Sequence, residues 1–135
     1  MKVGKMDNID QKIIQLLKQN SKMTNKAIGE QIHMSGQAVG NRIIKLQESG
    51  AIKNFSISIN YPQTQFIRIF MNSNRFKQFE KQVNQFEPIS EFYKISGGAC
   101  YLIIAHFETK QLVEFLEIID KWCRYSIETV IEPLK

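Results

Sequence analysis

The chain has 135 residues, 43% of them hydrophobic, and a formal net charge of +5, a composition ordinary for a folded protein with room for one domain or two small ones. It has no apolar run of about 18 residues and no signal-peptide pattern at Met1–Met6, so a soluble cytoplasmic protein with no membrane partner is expected. Cys100 and Cys123 stand in apolar contexts without CxxC spacing; buried thiols are expected, with no disulfide, metal or cofactor.

In chain order, Asp7 or Asn8 is placed to cap a first helix whose apolar stripe is Ile9, Ile13, Leu16 and Leu17, and Asn20-Ser21 ends it. Thr24 caps a second, short helix with Ala27, Ile28 and Ile32 on one side, where Gly29 leaves room for another helix to approach closely. Ser35 caps a third helix in which Val39, Ile43 and Leu46 recur at i, i+4 and i+7, and Ser49-Gly50 closes it. Two short helices joined by a tight turn read as a helix-turn-helix. The far side of the third helix carries Gln37, Ala38, Asn41, Arg42 and Lys45, a face that suits the major groove. There Gln and Asn pair with adenine edges and Arg with guanine or phosphate. The plainer alternative is a helical hairpin whose polar side is merely solvated.

Charge distribution argues independently for DNA. Residues 1–60 hold nine lysines and arginines against four acids, while the remaining residues hold nine of each. The whole positive excess therefore lies on the helical segment, the footprint of a nucleic-acid module joined to a neutral one.

After Gly50 the rhythm changes. Ile52, Phe55, Ile57 and Ile59 include a period-2 stretch that predicts a short strand and linker, punctuated by Pro62. Gln65–Asn72 is apolar on both faces and reads as a strand covered on both sides. Phe76, Phe79, Val83 and Phe86 recur at helical intervals. Ile89–Ile95 and Cys100–Phe107 form a hairpin around Ser96-Gly97-Gly98. Leu112, Phe115, Leu116, Ile119 and Trp122 make a second helical stripe, and Ser126–Glu132 closes as a strand. The order β-α-β-β-α-β is that of the ferredoxin-like split βαβ unit, an antiparallel sheet with two helices on one face. The other face is too apolar for water. Either Ile67, Ile69 and Met71 or Phe66 and Phe70 are left outside, with Tyr101, Ile103 and Ala105 or Leu102 and Ile104 beside them, so two sheets from two copies are expected to pack together.

The run from Met6 to Asn60 resembles the DNA-binding domain of the leucine-responsive regulator/AsnC family, the feast/famine regulators. The resemblance rests on Ile9-Asp10 with Ile13 and Leu16, then Ser35, Val39, Arg42, Leu46, Glu48, Ser49-Gly50 and Ile52. The C-terminal half is similar in order and length to that family's effector domain, with Ser96-Gly97 at the position of its Val/Ser-Gly-Asp hairpin. The fold expected is α+β: a three-helix winged helix-turn-helix domain at 1–55, a strand and linker at 56–63, and a ferredoxin-like (RAM-type) βαββαβ domain at 64–135 for dimerisation and effector binding. The resemblance implies a transcriptional regulator that binds double-stranded DNA as a homodimer through the C-terminal sheet, assembles into tetramers or octamers, and responds to a small-molecule effector.

Expected DNA contacts are Lys22, Lys26, Ser35, Gln37, Ala38, Asn41, Arg42 and Lys45. Gln37, Asn41 and Arg42 are expected to read base edges, and Lys45 with Lys26 or Lys22 to meet phosphates; Arg42 has a competing role in phosphate contact or in the fold. Where the family has Gly in the helix-turn-helix turn this chain has His33, which tolerates a left-handed conformation better than a branched residue. Gly97, Gly98 and Cys100 stand at the family's effector hairpin, whose Gly-Asp-x-Asp reads here Gly97-Gly98-Ala99-Cys100. With both acids missing, an amino-acid ammonium has no partner there, so a different ligand, or only a hairpin turn, is expected. Architectural DNA binding with little sequence preference is one rival. Another is tetrapyrrole decarboxylation on the same fold, for which Arg68, Tyr101 and His106 are the strand residues able to converge; no catalytic residue is expected otherwise.

Overall fold

The computed structural model describes residues 5–135, so Lys2 and most of the Met1–Met6 stretch lie outside the described residues. The chain divides into two compact units, residues 1–58 and 59–135.

The first unit is three helices: α1 (Asn8–Gln19), α2 (Asn25–Ile32) and α3 (Gly36–Glu48). Each begins at a residue whose side chain satisfies an orphan N–H of the first turn. Asp7 Oδ1 accepts the Asp10 N–H at 2.8 Å, Thr24 Oγ1 the Ala27 N–H at 3.0 Å, and Ser35 Oγ the Ala38 N–H at 3.1 Å; such caps contribute about 1 kcal/mol each. Asp10 answers Asp7 and completes a capping box. Ile13, Ile28 and Val39, one from each helix, are wholly buried at the centre, with Ile9, Leu16, Leu17, Ile32 and Ile43 around them.

The turn between α2 and α3 is made by His33, at φ 62° and ψ 48°, the left-handed conformation expected of it. The turn folds back so that the Met34 N–H donates to the Gly29 carbonyl at 2.9 Å. A Cβ on Gly29 would lie 2.2 Å from the Met34 carbonyl oxygen. The close approach that Gly29 permits is thus to its own turn, not to a neighbouring helix. The strand expected around Ile52–Ile59 does not form, and among the described residues the three helices have no β-wing. Alternation alone does not make a strand. The segment has no ladder partner among the described residues, and Ile57 is left 77% exposed.

The second unit contains β1 (Gln65–Met71), α4 (Phe76–Val83), β2 (Ile89–Lys94), β3 (Tyr101–Ala105), α5 (Thr109–Ile119) and β4 (Cys123–Thr129). The sheet order is β2-β3-β1-β4, antiparallel throughout, as in the ferredoxin-like arrangement. Ile67, Ile69, Tyr101, Ile103 and Ala105 point inward and are buried with Phe79 and Val83 of α4 and Phe115 and Ile119 of α5. This decides which set faces out. Phe66, Arg68 and Phe70 alternate with the buried residues of β1, and the register sets Ile104 beside Phe66 and Leu102 beside Arg68.

The last strand begins and ends three residues earlier than expected. Cys123 packs into the core directly after Trp122, so Trp122, read as the tail of a helical stripe, lies past the end of α5 and directly before the return into the sheet. Burial pushes the Cys123 thiol up to about 11, an inert group as expected, while Cys100 is only half-buried. Trp122 is 8% exposed, its indole N–H has no hydrogen-bond partner among the described residues, and the Arg75 guanidinium lies 4.7 Å from the centre of its ring.

Two glycines separate close packing from open turn. Gly29→Ala forces a Cβ against backbone and is expected to lower stability by about 1–3 kcal/mol. Gly98→Ala, with nothing within 4 Å of the new atom, is expected to stay within about 0.5 kcal/mol. Denaturant melts of both variants check this, and equal effects would contradict it.

Candidate nucleic-acid interface

α3 is held from two sides. Gly36 and Gly40, four residues apart, form a bare strip against the first turn of α2: a Cβ at Gly36 would lie 3.2 Å from the Lys26 backbone nitrogen, and one at Gly40 2.9 Å from Asn25 Nδ2. The contact brings the backbone of Lys26 beside the start of α3. On the side turned towards α1, Arg42 reaches the capping box. Its Nη1 donates to Asp7 Oδ2 at 2.7 Å and to Asp10 Oδ1 at 3.1 Å, with 30% of its side chain exposed.

What remains free is a continuous stripe. Gln37, Asn41 and Lys45 are exposed, Ser35 is exposed but committed to its cap, and Ala38 is half-buried. Lys22 and Lys26, before and in the first turn of α2, are exposed as well. The expected contact residues are therefore exposed or, for Ala38, half-buried, and all but one are directed away from α1 or committed only to a local cap. Arg42 is the exception, and of its competing roles the geometry supports the one in the fold. Ile44, which the sequence reading passed over, is 53% exposed on the same stripe. Its signal was the doublet Ile43-Ile44, of which only one member can join a core stripe.

In the second unit the three hairpin residues are placed differently from one another. Gly97 has φ 114°, and no atom lies within 4 Å of a Cβ built at Gly97 or Gly98. Cys100 packs against the core, and its N–H donates to the Ile69 carbonyl at 2.8 Å. Arg68, Tyr101 and His106 do not converge. Arg68 is on the outer face, 3.3 Å from Glu128. Tyr101 is buried, and its hydroxyl donates to the Glu80 carboxylate at 2.5 Å.

His106 lies just past β3. Its Nδ1 is 3.1 Å from Thr64 Oγ1 and 3.2 Å from the Gln63 carbonyl, its Nε2 is 3.0 Å from Ser90 Oγ, and its ring stacks on Tyr61 at 3.5 Å. Tyr61, His106, Glu87 and Glu108 line a cleft of about 270 Å³. The pattern missed the structural role of this histidine because every partner is remote in sequence.

Residues 6–47 match the AsnC-type helix-turn-helix domain and residues 64–129 the Lrp/AsnC ligand binding domain. The chain is 36% identical to the transcriptional regulator LrpB of Bacillus subtilis over 96% of its own length and 91% of the relative's. It is 32% identical to LrpA of the same organism over 93% and 98%. Among solved structures it is similar to LrpC of B. subtilis, with a TM-score of 0.88 at 22% identity, covering 98% of this chain and 99% of that one. It is also similar to a transcriptional regulator from Neisseria meningitidis in complex with L-Met, with a TM-score of 0.85 at 19% identity over 97% and 93%.

The electrostatics of the Arg42 cluster give a test. The hydrogen bond from Arg42, then the bond from the Asp10 backbone, hold the Asp7 carboxyl below its ordinary value of 3.8, and the same carboxylates raise Arg42. A lowered acid stabilises the fold above its unfolded pKa, and that contribution disappears as pH falls through the folded value. Arg42→Gln should therefore lower the melting temperature at neutral pH, with the difference from the parent shrinking below about pH 3.8 as Asp7 is protonated. A difference that is constant from neutral pH down to acid would rule out this ion pair as its source.

Proposed function

The chain belongs to the Lrp/AsnC family of DNA-binding transcriptional regulators, and we propose that it reads its operator with the exposed stripe of α3 while paired with a second copy through the outer face of its sheet. The observation that carries the reading is the state of α3: Gln37, Asn41 and Lys45 are free on one side, while Arg42 is tied to α1. Gln37 and Asn41 then read base edges in the major groove. Lys45, Lys26 and Lys22 meet phosphates, Ser35 and Ala38 frame the start of the reading helix, and Arg42 fixes its angle. The relatives are named as regulators, and neither architectural compaction nor tetrapyrrole chemistry is favoured. The site of action is the cytoplasm, where the DNA is. No helix among the described residues is long and apolar enough to cross a membrane.

The pairing surface is the strip of Phe66, Phe70, Leu102 and Ile104. Arg68, opposite Leu102 and 3.3 Å from Glu128, sits within the strip between Phe66 and Phe70, and Arg124 lies over the Phe70 ring. A two-fold pair presents two reading helices to two half-sites, and further assembly of dimers rests on other surfaces.

The matched ligand binding domain suggests control by a small molecule. At the Gly97-Gly98-Ala99-Cys100 hairpin only backbone groups and a half-buried thiol are offered. A ligand seated there is held by amide N–H and C=O groups, and one bearing an unpaired ammonium is disfavoured.

Selection of bound sequences from random DNA by the parent, Gln37→Ala and Asn41→Ala tests the reading stripe. Each variant is expected to lose about 1–3 kcal/mol and to relax one position of the site, whereas Lys45→Ala weakens all sequences alike and lowers the salt slope by about one. An unchanged preferred sequence in both Gln37→Ala and Asn41→Ala would overturn the assignment. For the pairing surface, Phe66→Glu with Ile104→Glu should give a monomer by light scattering with at least tenfold weaker operator binding. A doubly substituted protein that remains dimeric would refute the sheet as the interface.

A further inference from the structure

Ile44 is the large apolar residue of α3 that the core of the first unit does not use. Val39 and Leu46 are buried and Ile43 packs on the central cluster, while Ile44 stands 53% exposed. A single exposed isoleucine is ordinary on a protein surface. What distinguishes this one is where it points. At about 100° per residue, Ile44 is about 20° round the helix from Gln37 and about 60° from Asn41; at about 1.5 Å per residue it is roughly 4.5 Å further along the axis than Asn41. It shares the stripe assigned above to base edges, and it is the one large apolar side chain exposed there.

A helix seated in the major groove meets donors, acceptors and a single apolar group, the thymine 5-methyl. An isoleucine held against anything else in the groove would desolvate polar edges without replacing their hydrogen bonds. The axial offset from Asn41 corresponds to one or two base steps. We propose that Ile44 is a specificity-determining residue that packs on a thymine methyl in each half-site, one or two base pairs from the base that Asn41 reads. The proposal rests on α3 being the reading helix.

The test uses the full-length protein and the site obtained by selection. Each thymine of one half-site is replaced in turn by deoxyuridine, which removes only the methyl group, and binding is measured at fixed salt for the parent and for Ile44→Ala. The parent is expected to lose about fourfold at one thymine, the effect of withdrawing one buried methyl. Ile44→Ala should bind the thymine site correspondingly more weakly and lose nothing further when that thymine becomes uracil. The deoxyuridine series on the parent involves no protein substitution, so it stands even if Ile44→Ala folds poorly. A parent indifferent to every thymine methyl overturns the proposal, as does an Ile44→Ala protein with the parent's profile. If Gln37→Ala and Asn41→Ala still shift base preference in that case, Ile44 alone was misassigned; if no substitution on α3 shifts it, the reading helix itself was misidentified.

Discussion

Arg42 leaves α3 towards α1 and meets two carboxylates that are already at work, and the outward face of α3 depends on that meeting. Asp7 and Asp10 form the capping box of α1, so one guanidinium ties the start of the first helix to the middle of the third. A surface ion pair stabilises little on its own. Here the value is geometric: Asp10 is largely covered, with 16% of its side chain exposed, and a single nitrogen of Arg42, Nη1, lies between the two acids and donates to both. Together with the glycine strip against α2, this fixes the rotation of α3 about its own axis. That rotation decides which side chains face outward.

The second unit is organised by a different constraint. An antiparallel sheet with both helices on one side buries half of its side chains and leaves the rest to find cover. In this chain the uncovered half includes Phe66, Phe70, Leu102 and Ile104. The neutral charge balance of this half of the sequence fits a unit that meets its own copy, and the basic balance of the first unit fits one that meets phosphates. The two small cores thus overlap little in chemistry.

Much of this was legible in sequence. Ser35, Thr24 and Asp7 announce helix starts because capping is a local bargain between neighbours, and the βαββαβ order follows from periods that switch between two and 3.6. The inner and outer faces of β1 were not legible. Alternation separates Phe66 and Phe70 from Ile67 and Ile69 but carries no sign, and only the helices choose. The segment from Ile52 to Ile59 misled for a related reason, since a strand is a property of a pair. Arg42 was ambiguous because its partners lie more than 30 residues away, and the hydrogen bonds of His106 were not legible because Gln63, Thr64 and Ser90 are all remote. In each case the missing information was a contact between distant parts of the chain.

The placement of the sole tryptophan has an optical consequence. Trp122 is seated in the core of the second unit, near Phe79 and beneath the Arg75 guanidinium, and the three helices of the first unit contain no indole. Its emission therefore reports on the sheet core and is blind to the helices, whereas helical ellipticity draws on both units. The protein carries its own chromophore for telling the melting of one core from that of the other, with no label attached.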